Sequence, residues 1–148
     1  MLRRGALVLV TACLALPAAA QQTLTDVDAI GRCLCQRQDV DARSTAVASA
    51  RQALDQARAD SARLAADVEH RRPQVQVKND DDIAAFTDLL RRSEESAARI
   101  NAEQLPAYNA AVAGYNRSLD IYGAACAGKS FDATMLERAK ANLVCPKP

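Results

Sequence analysis

The 148-residue chain carries 19 Lys+Arg against 18 Asp+Glu, a formal charge of +1, so bulk electrostatics draw it neither to nucleic acid nor to an anionic membrane surface. Residues 21–148 hold 26 Ala, three Tyr, two Phe and no Trp, a composition that suits closely packed helices and argues against a β-sandwich or an aromatic-lined pocket. That length allows one domain and is too short for two ordinary ones.

Residues 1–20 read as a secretory signal peptide. Arg3 and Arg4 form a basic start, an apolar run extends from Gly5 to Leu16, and Pro17-Ala18-Ala19-Ala20 supplies small residues for cleavage after Ala20. A competing pattern, Val10-Thr11-Ala12-Cys13, would place a lipid on Cys13 and tether the chain to a membrane. The apolar run before it is too short for that reading, and cleavage there would leave Leu14-Ala15-Leu16 beside the lipid. No later stretch approaches the ~20 apolar residues that a membrane span needs. The expected location is the periplasm of a bacterium, or the medium as a secreted protein.

Cys33, Cys35, Cys126 and Cys145 remain after cleavage, and an even number in an exported chain reads first as two disulfides. Residues two apart on a helix point to nearly opposite sides, which disfavours a Cys33–Cys35 bond. The bonds are therefore expected to be long-range, tying the start of the mature chain to its end. Each could contribute about 4 kcal/mol in the chain-entropy treatment.

The first predicted element is a helix over about residues 25–72. This stretch has no Pro, and Cys33, Val40, Val47, Leu54, Ser61 and Val68 recur every seven residues, with Ala50, Ala57 and Leu64 three residues further on. Arg43, Arg51, Arg58, Asp55 and Asp60 are left to water around that seam. Pro73 ends the helix, and residues 73–79 form a connector where the chain reverses.

Asn79-Asp80-Asp81-Asp82 reads as a cap and acidic first turn, opening a kinked second helix over about residues 80–125. The alternative, a Ca²⁺ loop, requires oxygen ligands spaced around a turn. Ile83, Leu90 and Ala97, flanked by Phe86 and Ile100, define one apolar line. Beyond Pro106 the lines resume as Leu105, Val112, Leu119 and Cys126, and as Tyr108, Tyr115 and Tyr122. Ala97 to Leu105 and Ile100 to Tyr108 are eight-residue steps, so a kink or bulge must absorb one extra residue near Pro106. A short helix over about residues 131–144 follows, capped by Ser130 or Asp132 and bearing Phe131, Met135, Leu136, Ala139 and Leu143.

The expected fold is all-α. It is a long antiparallel helical hairpin, coiled-coil-like, with the short C-terminal helix packed at the open end. Cys33 and Cys126 extend apolar lines that such a hairpin brings together, so Cys33–Cys126 and Cys35–Cys145 are the preferred pairs.

Several motifs suggest chemistry without the context that chemistry needs. Gly123-Ala124-Ala125-Cys126-Ala127-Gly128-Lys129-Ser130 satisfies the phosphate-loop pattern G-x-x-x-x-G-K-S, but a helix rather than a buried strand precedes it, so no nucleotide is expected. Cys33-Leu34-Cys35 lacks the C-x-x-C spacing and βαβ setting of a redox motif, and a zinc site would need all four cysteines reduced. His70 is the sole histidine and sits beside Arg71 and Arg72 with no evident partner. The three tyrosines read as packing residues rather than a ligand stack. Asn116-Arg117-Ser118 matches a glycosylation sequon but lies within a helix.

No catalytic, cofactor-binding or metal residues are therefore expected, and the chain is not expected to be an enzyme. The functional expectation is an exported interaction module, a spacer, adaptor or client-binding protein of the bacterial envelope. Its partner would be an envelope protein or a second copy, met through helix faces at the leftover apolar positions Ile30, Leu89 and Ile121. The alternative is a periplasmic thiol-based redox or metal-handling protein using Cys33 and Cys35.

Overall fold

A computed structural model describes residues 22–146. Residues 1–20, expected to be a signal peptide and including Cys13, lie outside the described residues. The chain is mostly helical, with two long helices and a short C-terminal helix packed on them.

Helix α1 runs Val27–Arg71. Its first turn is fixed by Asp26, whose carboxylate accepts the Ala29 N–H at 2.7 Å, and Asp28 adds a negative charge where free N–H groups concentrate. The helix ends where Pro73 enters a short 3₁₀ turn, Arg72–Gln74. Helix α2, Asp80–Arg99, opens on Asn79, whose side-chain oxygen accepts from the N–H groups of Asp81 and Asp82. Asp82 also accepts from the Gln76 N–H at 2.7 Å and from Arg71 at 2.9 Å, which locks the turn between α1 and α2.

A π-helical segment, Ile100–Gln104, joins α2 to α3, Leu105–Ala125, with the Leu105 N–H bonded to the Ile100 carbonyl. The wider turn takes up the residue by which the apolar register slips. It also lies just ahead of Pro106, which has no N–H and whose ring would crowd the carbonyl four residues before it in a regular α-helix.

α1 packs along both α2 and α3 and also holds α4, Ala133–Ala141. Asp132 caps α4 through the Met135 N–H at 3.0 Å. The expected span of about 131–144 is too long at both ends. Phe131 belongs to β2, Ser130–Phe131, which pairs in parallel with β1, Thr23–Leu24, at the register Thr23 to Ser130 and Leu24 to Phe131. Residues beyond Asn142 leave the helix, and Val144 is 90% exposed. This two-residue pairing is the departure from an all-helical reading, and it anchors the segment before α1 to the segment before α4.

The core is thin. Ile30, Cys33, Leu54 and Val68 of α1 are buried together with Ser118, Cys126 and Ala139, while most other seam positions are half-buried. Several expectations about faces need correction, among them Ile83, expected on the apolar line of α2 yet 39% exposed. Ile30, expected on a free surface, is the most deeply buried large side chain, at 0% exposure. Leu119 was placed on the seam of α3, yet it is 43% exposed. The face of α3 toward α1 follows Tyr108, Ala111, Tyr115, Ser118 and Tyr122, all buried or half-buried. Small residues interleaved with the rings permit close helix approach, and Leu119 is left on the flank.

Candidate functional site

The chemistry-bearing residues converge at the end of the molecule where α1 begins. Cys33 and Cys35 leave α1 on different sides, as helix geometry requires. Cys33 is bonded to Cys126 at the end of α3, with Cα atoms 5.6 Å apart. Cys35 is bonded to Cys145 in the tail after α4, with Cα atoms 5.2 Å apart. The two bonds differ in surroundings, since Cys33 and Cys126 are buried whereas Cys35 and Cys145 are half-buried.

A cleft of about 510 Å³ lies beside the Cys35–Cys145 bond. Val27, Gly31 and Cys35 of α1 form one wall, and Ala139, Leu143 and Val144 form the other. A side-chain methyl placed on Gly31 would sit 3.9 Å from Leu143 Cδ1, so the tail rests directly on this glycine. Asp28 and Arg32 bring opposite charges to the same cleft. A smaller recess of about 220 Å³ opens near Cys33, with Arg32 and Lys129 on its walls.

The phosphate-loop string lies at the C-terminal end of α3, where a helix presents carbonyls rather than N–H groups. Four of its amides are already committed. Those of Cys126 and Ala127 bond the Tyr122 carbonyl, that of Lys129 bonds the Cys126 carbonyl, and that of Ser130 bonds the Gln22 carbonyl. Gly128 takes a φ of 72°, which lets the chain turn from α3 into β2. The Ser130 hydroxyl shares a hydrogen bond with that of Thr23 at 2.8 Å. The loop is thus a helix stop and strand junction.

His70 is exposed near the opposite end, its Nε2 3.2 Å from the Gln74 side-chain nitrogen. It borders a groove with Asp67, Arg71, Ala85, Leu89 and Arg92. Leu89, assigned to a partner surface, is half-buried there, while Ile121 is 50% exposed on α3. Asn116 is exposed on α3. Asn79 and the three aspartates after it act as a cap and first turn. Among the described residues, no three His, Cys, Asp or Glu side chains gather as a metal site would require, and no helix is long and apolar enough to cross a membrane.

One polar cluster escaped the sequence reading. The single Arg43 Nε–H is shared between the two Asp39 carboxylate oxygens, at 2.8 and 3.0 Å, and the Ser118 hydroxyl of α3 donates to Asp39 Oδ2 at 2.6 Å. The Arg43 hydrogen bond, followed by that from Ser118, holds the Asp39 carboxyl below its ordinary pKa. Gly114 makes room for this arrangement, since a Cβ there would come within 2.9 Å of Arg43 Nη1. The i,i+4 pair Asp39 and Arg43 is legible in the sequence, but its partner 79 residues away from Asp39 is not.

No protein-family model matches the chain, and neither a curated protein nor a solved structure is significantly similar to it.

Proposed function

We propose that the chain is an exported, non-enzymatic interaction module of the bacterial envelope, an antiparallel coiled-coil-like hairpin that serves as spacer, adaptor or client-binding protein. The observation that carries this reading is a 45-residue helix packed along a second long helical run and cross-linked at one end by two disulfides. A helix of that length extends about 70 Å, and its thin core leaves long side faces rather than an enclosed cavity. The disulfides fit an oxidising compartment, in keeping with export to the periplasm or medium. Ile121 and Leu119, exposed on α3, supply apolar contact area on those faces.

Site-specific photo-crosslinking in the native host tests this. Crosslinkers at Ile121 and Leu119 are expected to trap one discrete adduct, either an envelope protein or a second copy, whereas one at Val77 in the connector is not. A chain that stays monomeric with no adduct at any helix-face position would overturn the proposal.

A further inference from the structure

We infer that Cys35–Cys145 is a thiol-exchangeable latch on the C-terminal tail, distinct from the structural Cys33–Cys126 bond, and that its substrate is a dithiol reductant of the protein or small-molecule class. Thiol–disulfide exchange requires an attacking thiolate to reach a sulfur, so accessibility separates two bonds in one molecule. Cys33 and Cys126 are 4% and 2% exposed, packed between α1 and α3 with Cys33 lining the smaller recess. Cys35 and Cys145 are half-buried and border the open cleft.

What the latch holds is also defined. Residues 143–146 belong to no helix or strand. Their backbone hydrogen bond among the described residues is local, from the Leu143 N–H to the Lys140 carbonyl at 3.4 Å. Leu143 rests against Gly31, and Cys145 is the covalent tether of this segment to α1. α4 has its own attachments, through the β1–β2 pairing, the Asp132 N–H on the Leu24 carbonyl at 3.0 Å and buried Ala139. Loss of the tether therefore releases the tail without undoing α4 or the helix pair.

In the first step a reductant thiolate attacks one sulfur of the bond, forming a mixed disulfide and expelling the other cysteine as a thiolate, which takes a proton from water. The second thiol of the reductant then attacks the mixed disulfide. Cys35 and Cys145 are left reduced and the reductant carries the new disulfide, so two electrons pass from reductant to protein. Leu143 then leaves Gly31, and the Val27, Gly31 and Cys35 strip of α1 is uncovered.

The test is graded reduction of the oxidised full chain with dithiothreitol under native conditions, trapped with N-ethylmaleimide and mapped by peptide mass. Helicity and amide exchange are followed in parallel. Cys35 and Cys145 are expected to label at least about tenfold faster than Cys33 and Cys126. Helicity should be unchanged after this first stage, with faster exchange confined to the Leu143 amide, the hydrogen-bonded N–H of the tail. Simultaneous labelling of all four cysteines, earlier labelling of Cys33 and Cys126, or helix loss with the first stage would each overturn the inference.

Discussion

Asp39 is the residue through which the two long helices exchange a charge-assisted hydrogen bond, because Ser118 on α3 donates to a carboxylate already held by Arg43 on α1. Ser118 is 5% exposed, so its hydroxyl has no ready substitute partner in water. Ser118→Ala is expected to cost about 1–2 kcal/mol in urea unfolding, with most of that loss absent in an Asp39→Asn background. The same geometry sets a pH dependence. Hydrogen bonds from Arg43 and then Ser118 hold the folded Asp39 carboxyl below its ordinary value, and those from the Gln76 N–H and then Arg71 do the same for Asp82. The unfolded chain, with aspartates near about 3.9, takes up protons first as pH falls. These groups thus contribute fully above that value, and their contribution is lost as pH drops through the folded pKa. Unfolding midpoints should be level near neutrality and decline below about pH 4. Asp39→Asn should flatten part of that decline.

The caps and the register slip were the most legible features of the elements, since each rests on a few adjacent residues. Asn79 caps α2 by bonds spanning two and three residues, and Asn79→Ala is expected to cost about 1 kcal/mol of stability. The slip near Pro106 is visible as two eight-residue steps, and the π segment Ile100–Gln104 takes up the difference. Because that segment carries one extra residue, deleting Ala102 together with Pro106→Ala should give a regular helix with α3 in its original phase. The Cys33–Cys126 bond should then still form. Inserting one Ala at the same place should rotate α3 by about 100° and prevent the bond. Peptide mapping without reduction distinguishes these outcomes. The β1–β2 pairing was not legible, because two-residue strands carry no alternation and their partners are 107 residues apart. Leu119 misled for a related reason. Heptad counting ranks large apolar side chains, whereas this contact is centred on Ala111 and Ser118 between the tyrosines, where small side chains allow close approach.

Over the whole molecule, few residues are buried, so individual core positions carry a large share of stability. Leu54→Ala, which removes one of the buried side chains midway along α1, is expected to cost about 2–5 kcal/mol in chemical denaturation. The cross-links compensate for a thin core. They join residues 93 and 110 positions apart; either bond alone constrains the unfolded chain by about 4.7 kcal/mol in the chain-entropy treatment, and the second adds less because the first has already shortened its loop. Both bonds cluster at one end, where they hold the start of α1 to the end of α3 and to the tail, leaving the helix pair beyond them without cross-links. The measurement that tests this account most directly is the intact mass and non-reduced peptide map of protein isolated from its native source. The account predicts a chain beginning at Gln21, four hydrogens lighter than its reduced form, with Cys33 linked to Cys126 and Cys35 to Cys145. Four free thiols, a thiol-bound metal, or a Cys33–Cys35 bridge would contradict it.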